Sequence, residues 1–464
     1  MNASRLTLRD LERCFGGAIP AVIATATADG VPNVTYLSRA HRVDDERLAL
    51  SNQFMSKTSR NLTVNPRASL LLMDPVTHDE YRLAVVYERT DRRGPVFERL
   101  RTDIDALAAL TGMQDVFRLR AADIFRVVDI RVVPGHPAGT FLPPPPPRDP
   151  AGDLAAMAEL SARLARAGDV DVLVDVALDA LDRLLGYPHS VLLLLDEEGR
   201  TLYSIGGRGF AADTVGAEVV VGEGLVGMAA ARCAPMRVGH LGQMTKYSES
   251  VRAGYETSGQ VERLVPMPTL RDAQSRLAVP AISAGELVGM LVVDSAEPVA
   301  FGTSDEHLLS VVASQLAAAI QHERALERDD EPARAAVPST AAAVPRPAST
   351  GPAASGDDAV FRWFSADGSV FLGTDYLIKG VAGRILWSLL RQHAADGRVD
   401  FTNKELRLDP SLEMPGFKDN LESRLILLKR RLDERASPVR IEKTGRGRFR
   451  LHVDGRVRLE QADA

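Results

Sequence analysis

Leu421, Leu425, Leu428 and Leu432 stand at i, i+4, i+7 and i+11, which lays one apolar stripe along a helix. Arg424, Lys429, Arg430 and Arg431 occupy its other faces. The period then changes. From 439 to 451, apolar Val439, Ile441, Phe449 and Leu451 alternate with charged residues, and Gly445 and Gly447 permit a tight reversal, so a basic β-hairpin is predicted. Short strands at 360–364 and 370–372 and helices at 382–393 and 403–408 are expected ahead of it. Near the other end of the chain the pattern is β-rich after an opening helix at 7–15. Strands are read at 21–27 and 32–37 around the Asp29-Gly30 turn, then at 47–51, 68–73, 81–87 and 122–133. A short helix over 56–65 stops at Asn65-Pro66, and another covers 95–111. Between these regions, helices at 153–167 and 170–185 precede strands at 190–196, 201–205, 276–282 and 287–294. A helix from 304 to 328 closes an antiparallel sheet flanked by helices.

Two breaks in composition divide the chain. One is the five-proline run from Pro143 to Pro147, a stiff spacer; the other, 329–358, is rich in Ala, Pro, Ser and Gly and can bury almost nothing. At about 150 residues per domain, 464 residues give roughly three. The expected units are 1–140, a linker at 141–152, 153–328, a disordered linker at 329–358, and 359–464.

Charge sharpens the picture. The formal balance is −6, yet residues 424–458 carry twelve cations against four acids, a local +8 suited to a polyanion. No apolar run reaches the roughly 18 residues of a bilayer span, and the opening decapeptide has no signal-peptide core, so a cytoplasmic protein with no membrane partner is expected. Cys14 and Cys233 lie too far apart in sequence to imply a disulfide framework. Cys233 reads as a small buried hydrophobe, and His240 as an ordinary histidine rather than a ligand. No metalloprotease, nucleophile-elbow or phosphate-loop motif is present. Asp44-Asp45-Glu46 and His78-Asp79-Glu80 read as polar turns. Aromatics make up only 5% of the chain, which disfavours a single-stranded nucleic-acid platform.

Three family resemblances follow from these residues. Ala24 to Val34, Leu50-Ser-Asn-Gln53 and Ser56-Lys-Thr-Ser-Arg-Asn-Leu-Thr-Val-Asn-Pro-Arg67 resemble the pyridoxamine 5′-phosphate oxidase-like, FMN-binding split barrel. That resemblance implies a flavin phosphate held at the helix start by Ser56, Lys57 and Thr58, with Asn52 nearby and Arg39, His41 or Arg42 standing in for the family's upstream Arg. Lys57, the hydroxyls and free helix N–H groups suit a dianion. The family's Ser-Arg-Lys stands here as Ser56-Lys57-Thr58, and the Trp and Arg features of true oxidases are absent. Gly222-Glu-Gly-Leu-Val-Gly227, Leu277-Ala-Val-Pro-Ala-Ile282 and Glu286-Leu-Val-Gly-Met-Leu-Val-Val-Asp294 resemble a GAF domain, which implies a small-molecule ligand and dimerisation through terminal helices.

The basic helix, Ser437-Pro438 and the Gly445-Arg446-Gly447-Arg448-Phe449 wing resemble a winged helix-turn-helix of the response-regulator output type. That resemblance implies base reading by Asn420, Ser423, Arg424 and Lys429 and phosphate clamping by Arg446, Arg448 and Arg450. Leu427 stands where an Arg is common. The expected whole is a multidomain α+β chain: N-terminal split β-barrel, central GAF sandwich, C-terminal winged helix. It would act as a homodimeric sensory transcriptional regulator of double-stranded DNA. Two alternatives stand beside it, an FMN-dependent oxidoreductase regulated by the GAF domain and a ligand-binding adaptor whose basic domain docks on an acidic partner.

Overall fold

The computed structural model describes residues 6–17, 19–53, 55–111, 118–133, 148–196, 198–210, 214–239, 241, 270, 272–334, 359–412 and 421–462. The proline run, residues 335–358 of the alanine-rich stretch, His240 and Asn420 lie outside them, whereas 329–334, expected in the linker, continue the preceding helix. The opening helix is only a 3₁₀ turn, Glu12–Gly16, ended by Gly17 in the left-handed region at φ +73°.

Seven antiparallel strands follow: β1 (Ala21–Ala26), β2 (Pro32–Leu37), β3 (Ala40–Arg42), β4 (Arg47–Asn52), β5 (Arg67–Met73), β6 (Glu80–Asp91) and β7 (Ala121–Val132). They pair in the order β2-β1-β5-β6-β7-β4-β3. Two register shifts bend the long β6–β7 ribbon. Ile23, Leu48, Leu50, Leu70, Leu83 and Phe125, on alternating positions, fill the interior with no exposure. Helix α1 (Ser56–Val64) lies beside β1 and β2. Helix α2 (Pro95–Thr111) leaves the barrel and inserts Ala106 into the core of the next unit.

That unit opens with α3 (Pro150–Leu164), which starts earlier than its apolar pattern suggests. Asp149 caps it by accepting from the N–H groups of Ala151 and Gly152, with Pro150 at the first position. Helix α4 (Val170–Arg183) begins the same way, Asp169 accepting from Val172 N–H at 2.9 Å. The sheet comprises β8 (Ser190–Leu195), β9 (Thr201–Arg208), β10 (Glu218–Val220), β11 (Met236–Val238), β12 (Ser275–Ser283) and β13 (Glu286–Ser295). All pairings are antiparallel, in the order β10-β9-β8-β13-β12-β11. One face packs on α3, α4 and the closing helix α6 (Thr303–Arg334) through Leu160, Val174, Leu181, Leu291 and Leu316. The other is covered by α5 (Gly224–Arg232) and by α2 of the barrel.

The last unit contains β14 (Ala359–Phe364), β15 (Ser369–Leu372), β16 (Asp375–Ile378), α7 (Gly380–Asp396), β17 (Asp400–Thr402), α8 (Asn403–Leu408), α9 (Leu421–Glu434), β18 (Val439–Gly445), β19 (Arg448–Val453) and β20 (Val457–Ala462). One sheet runs β16-β15-β14-β20, with β20 parallel to β14. The second, β17-β19-β18, carries the hairpin. Trp363 stacks on Trp387 with ring centres 5.7 Å apart. The leucine stripe of α9 faces this core as its spacing requires, with Leu421, Leu428 and Leu432 fully buried. Thr402 and Glu405 form a capping box at the start of α8.

Candidate functional sites

The start of α1 is an uncapped helix terminus. Its N-cap, Met55, offers no side-chain acceptor, so the first N–H groups have no capping side chain, and no acid occupies the first turn. Ser56 and Lys57 are exposed there. Thr58 points inward and accepts from Asn33 Nδ2 at 3.0 Å, tying α1 to β2. Asn61 makes the next tie, donating to Thr25 Oγ1 at 3.1 Å. These amides and hydroxyls fix the helix so that its open end projects from the barrel wall.

Asn52 is not in that cradle. Its amide donates to Asp123 Oδ2 at 2.9 Å and to Ser59 Oγ at 3.1 Å. Thr90 donates to the other Asp123 oxygen at 2.5 Å. Burial pushes the Asp123 carboxyl above its ordinary range, and the bonds from Thr90 and Asn52 only partly oppose this.

Arg39 lies farther off still, in a buried ion cluster where the barrel meets the middle unit. Its Nε lies 3.3 Å from Asp103 on α2, and its Nη1 donates to Gly16 O. Arg99 reaches the same carboxylate at 3.5 Å and Glu306 of α6 at 2.9 Å, while Arg237 of β11 stands 3.9 Å from Glu306. Burial would raise Asp103, but Arg39, Arg99 and Arg237 override it and hold the carboxyl below its usual range. His41 adjoins the cluster, and burial with these arginines lowers it to about 4. The expectation that Arg39 neighbours a flavin phosphate is therefore corrected: its guanidinium is committed to Asp103.

The basic helix brings the larger correction. Ser423, Arg424 and Lys429, expected on an open reading face, turn toward the middle unit. Ser423 Oγ accepts from Arg324 of α6 at 2.8 Å, and the Arg424 guanidinium lies over the Tyr203 ring at 4.6 Å. Lys429 pairs with Asp171 of α4 at 2.5 Å, and Arg430 bridges Asp171 and Asp175 at 2.5 and 2.7 Å. Burial would raise Asp171, but Arg430 and Lys429 outweigh it and leave the carboxyl low. Ile426, on the same side of α9, is 7% exposed and belongs to the core of α3, α4 and α6. The hairpin tip is different: Arg446 and Arg448 are exposed around Gly447, whose φ of +62° makes the turn. Arg450 pairs with Asp400 at 2.8 Å.

The acidic partner of α9 was missed in sequence, although its signal was there. Asp171, Asp175 and Asp179 recur every four residues and so share one face of α4. Cys233, read as a small core residue, is exposed, because it caps α5 in the left-handed region at φ +48°. Most residues between β11 and β12 lie outside those described. Among the described residues no cluster of His, Cys, Asp or Glu is placed to hold a metal, and no helix is long and apolar enough to cross a membrane.

Comparison with known proteins accounts for two of the three units. Residues 10–127 match the family model described as pyridoxamine 5′-phosphate oxidase, and residues 167–321 match the GAF domain model. Among solved structures, an FMN-binding protein from Syntrophomonas wolfei subsp. wolfei is 18% identical over 28% of this chain and 90% of its own, with a TM-score of 0.24. The GAF domain of an Acinetobacter phosphoenolpyruvate-protein phosphotransferase is 21% identical over 37% of this chain and 95% of its own, TM-score 0.30. A free methionine-R-sulfoxide reductase from Neisseria meningitidis, in complex with its substrate, is 20% identical over 39% and 96%, TM-score 0.30. No curated protein matches the chain. The chain thus carries an oxidase-like split barrel and a GAF domain in a mixed α+β architecture.

Proposed function

We propose that this protein is a sensory regulator in which the split barrel and GAF domain govern a winged-helix domain that binds double-stranded DNA. The observation that carries the reading is the order α7, α8, α9 and the β18–β19 hairpin, with a leucine-striped basic helix packed ahead of a wing tipped by Arg446 and Arg448. Such a wing meets phosphate while the helix reads bases. Replacing both Arg446 and Arg448 with alanine is expected to weaken binding to any duplex about tenfold and to lower the salt slope by about 2. Fluorescence anisotropy across a salt series measures both. An unchanged slope would remove the wing from the interface.

On this reading the barrel is the flavin-responsive part. Ser56, Lys57 and the open N–H groups of α1 would hold the FMN phosphate, and the bound flavin would supply a redox-active centre. Lys57→Ala is expected to raise the flavin Kd about tenfold, the loss of one charge-assisted contact. Fluorescence titration with FMN checks this, and unaltered affinity would sink the cradle. The cradle also supports a second reading, an FMN-dependent oxidoreductase regulated by the GAF domain, which NAD(P)H turnover by the flavin-loaded protein would favour. A homodimer belongs to the proposal: Val34 and Tyr36 on the outer strand β2 are 63% and 76% exposed, and Leu154 on α3 is 72% exposed.

A further inference from the structure

We infer that the structure is the DNA-excluding state of this regulator, with the acidic face of α4 occupying the α9 surface that a duplex would otherwise take. The inference rests on the winged-helix reading above and adds its control. Three kinds of contact converge on one side of α9. Lys429 and Arg430 meet Asp171 and Asp175, carboxylates standing where a duplex would stand. Ser423 and Arg424, which the reading assigns to bases, are taken by Arg324 and Tyr203. Ile426 seats in the GAF core beside α4. The edge of the GAF sheet adds two more ties, Thr214 N–H to Glu434 at 2.7 Å and Glu218 to Lys379 at 2.8 Å. No groove can receive α9 while these contacts persist, because Arg424 is buried against Tyr203 while Ser423 and Lys429 are held by Arg324 and Asp171.

The contact has the character of a clasp rather than of a shared core. The leucine stripe that builds the C-terminal domain lies on another side of α9, so undocking keeps its leucines packed and takes only Val215 and Tyr203 from that core. Undocking exposes Ile426, Val215 and Tyr203 together with a set of ions that water solvates well, and ion pairs at a partly wet surface contribute little each. A cleft of about 620 Å³, lined by Asp175, Asp179, Arg208, Thr214, Lys429 and Arg430, runs along the junction. Both β9 (Tyr203) and β10 (Glu218) of the GAF sheet touch the C-terminal domain, so a shift of that edge would load the contact directly.

The test uses the full-length protein carrying Asp171→Asn and Asp175→Asn. Its charge-matched control is Asp179→Asn with Asp182→Asn, acids that pair with Arg163, Arg183 and Arg208 rather than with α9. Hydrogen exchange across α9 reads release, and anisotropy with a mixed-sequence duplex reads binding. Faster exchange together with at least tenfold tighter duplex binding, neither seen in the control, is the expected result. Unchanged exchange, or a parent protein that already binds as tightly as the variant, would overturn the clasp and leave the DNA reading standing. Faster exchange with no duplex binding by any of the proteins would overturn the DNA reading itself, and the inference with it.

Discussion

Replacing Asp103 with alanine is expected to destabilise the barrel and GAF domain by about 3–5 kcal/mol, the usual consequence of deleting one partner of a buried ion cluster. Asp103 is 6% exposed and sits within 3.5 Å of both Arg39 and Arg99, with Arg237 adding to the positive field around it. Without it, Glu306 faces Arg99 and Arg237 alone, and Arg39 keeps only the Gly16 carbonyl. An uncompensated guanidinium in that position must either draw in water or separate the two domains. The tryptophans make the effect separable. Both, Trp363 and Trp387, belong to the C-terminal domain, so indole fluorescence follows that domain while far-ultraviolet circular dichroism follows the whole chain. In urea, the dichroism transition should move to lower denaturant and the fluorescence transition should stay near its place. A loss below about 1 kcal/mol would mean that the cluster is hydrated and that Asp103 is not its keystone.

Much of this arrangement could be read before the structure. Helix 95–111 and strand 32–37 were placed to the residue, because Pro95 opens the one and the Asp29-Gly30 turn frames the other. The leucines of α9 faced inward as a 3.6-residue period demands. What failed was the assignment of the remaining faces. A period identifies the buried stripe of a helix but says nothing of which solvent-side residues meet another domain, so the pattern alone leaves Ser423, Arg424 and Lys429 open. The resemblance puts Arg39 near the phosphate as one stand-in for the family's upstream Arg, whereas its side chain runs to α2. Strand β20 escaped notice because Val457, Leu459 and Gln461 alternate with Arg458 and Glu460 too weakly to stand out. Its pairing with β14 joins residues about a hundred positions apart, which no local pattern reports. At the α1 site the residues of the motif were legible; that Asn52 serves Asp123 and Thr58 serves Asn33 depends on strand register.

Acidification should open the same domain junction by a second route. His41 lies among Arg39, Arg99 and Arg237, with Asp103 the carboxylate facing it, and burial brings it down to about 4 from an ordinary value of 6.5. In the unfolded chain the imidazole takes its proton near pH 6.5; in the folded protein it stays neutral until about pH 4. The folded pKa is the lower one, so this contribution to stability is complete above pH 6.5 and drains away as the pH falls from there toward 4. Between pH 7 and 4.5 the loss should reach about 2 kcal/mol. Asp103 works in a different window: its folded pKa is depressed, so its contribution persists until the pH drops below the ordinary carboxylate range. The His41→Gln variant, which cannot titrate, should therefore give a flatter stability profile between pH 7 and 4.5, the parent losing stability relative to it as the pH falls. Urea curves followed by dichroism at half-unit intervals would show it, and parallel profiles for the two proteins would exclude His41 as the titrating group.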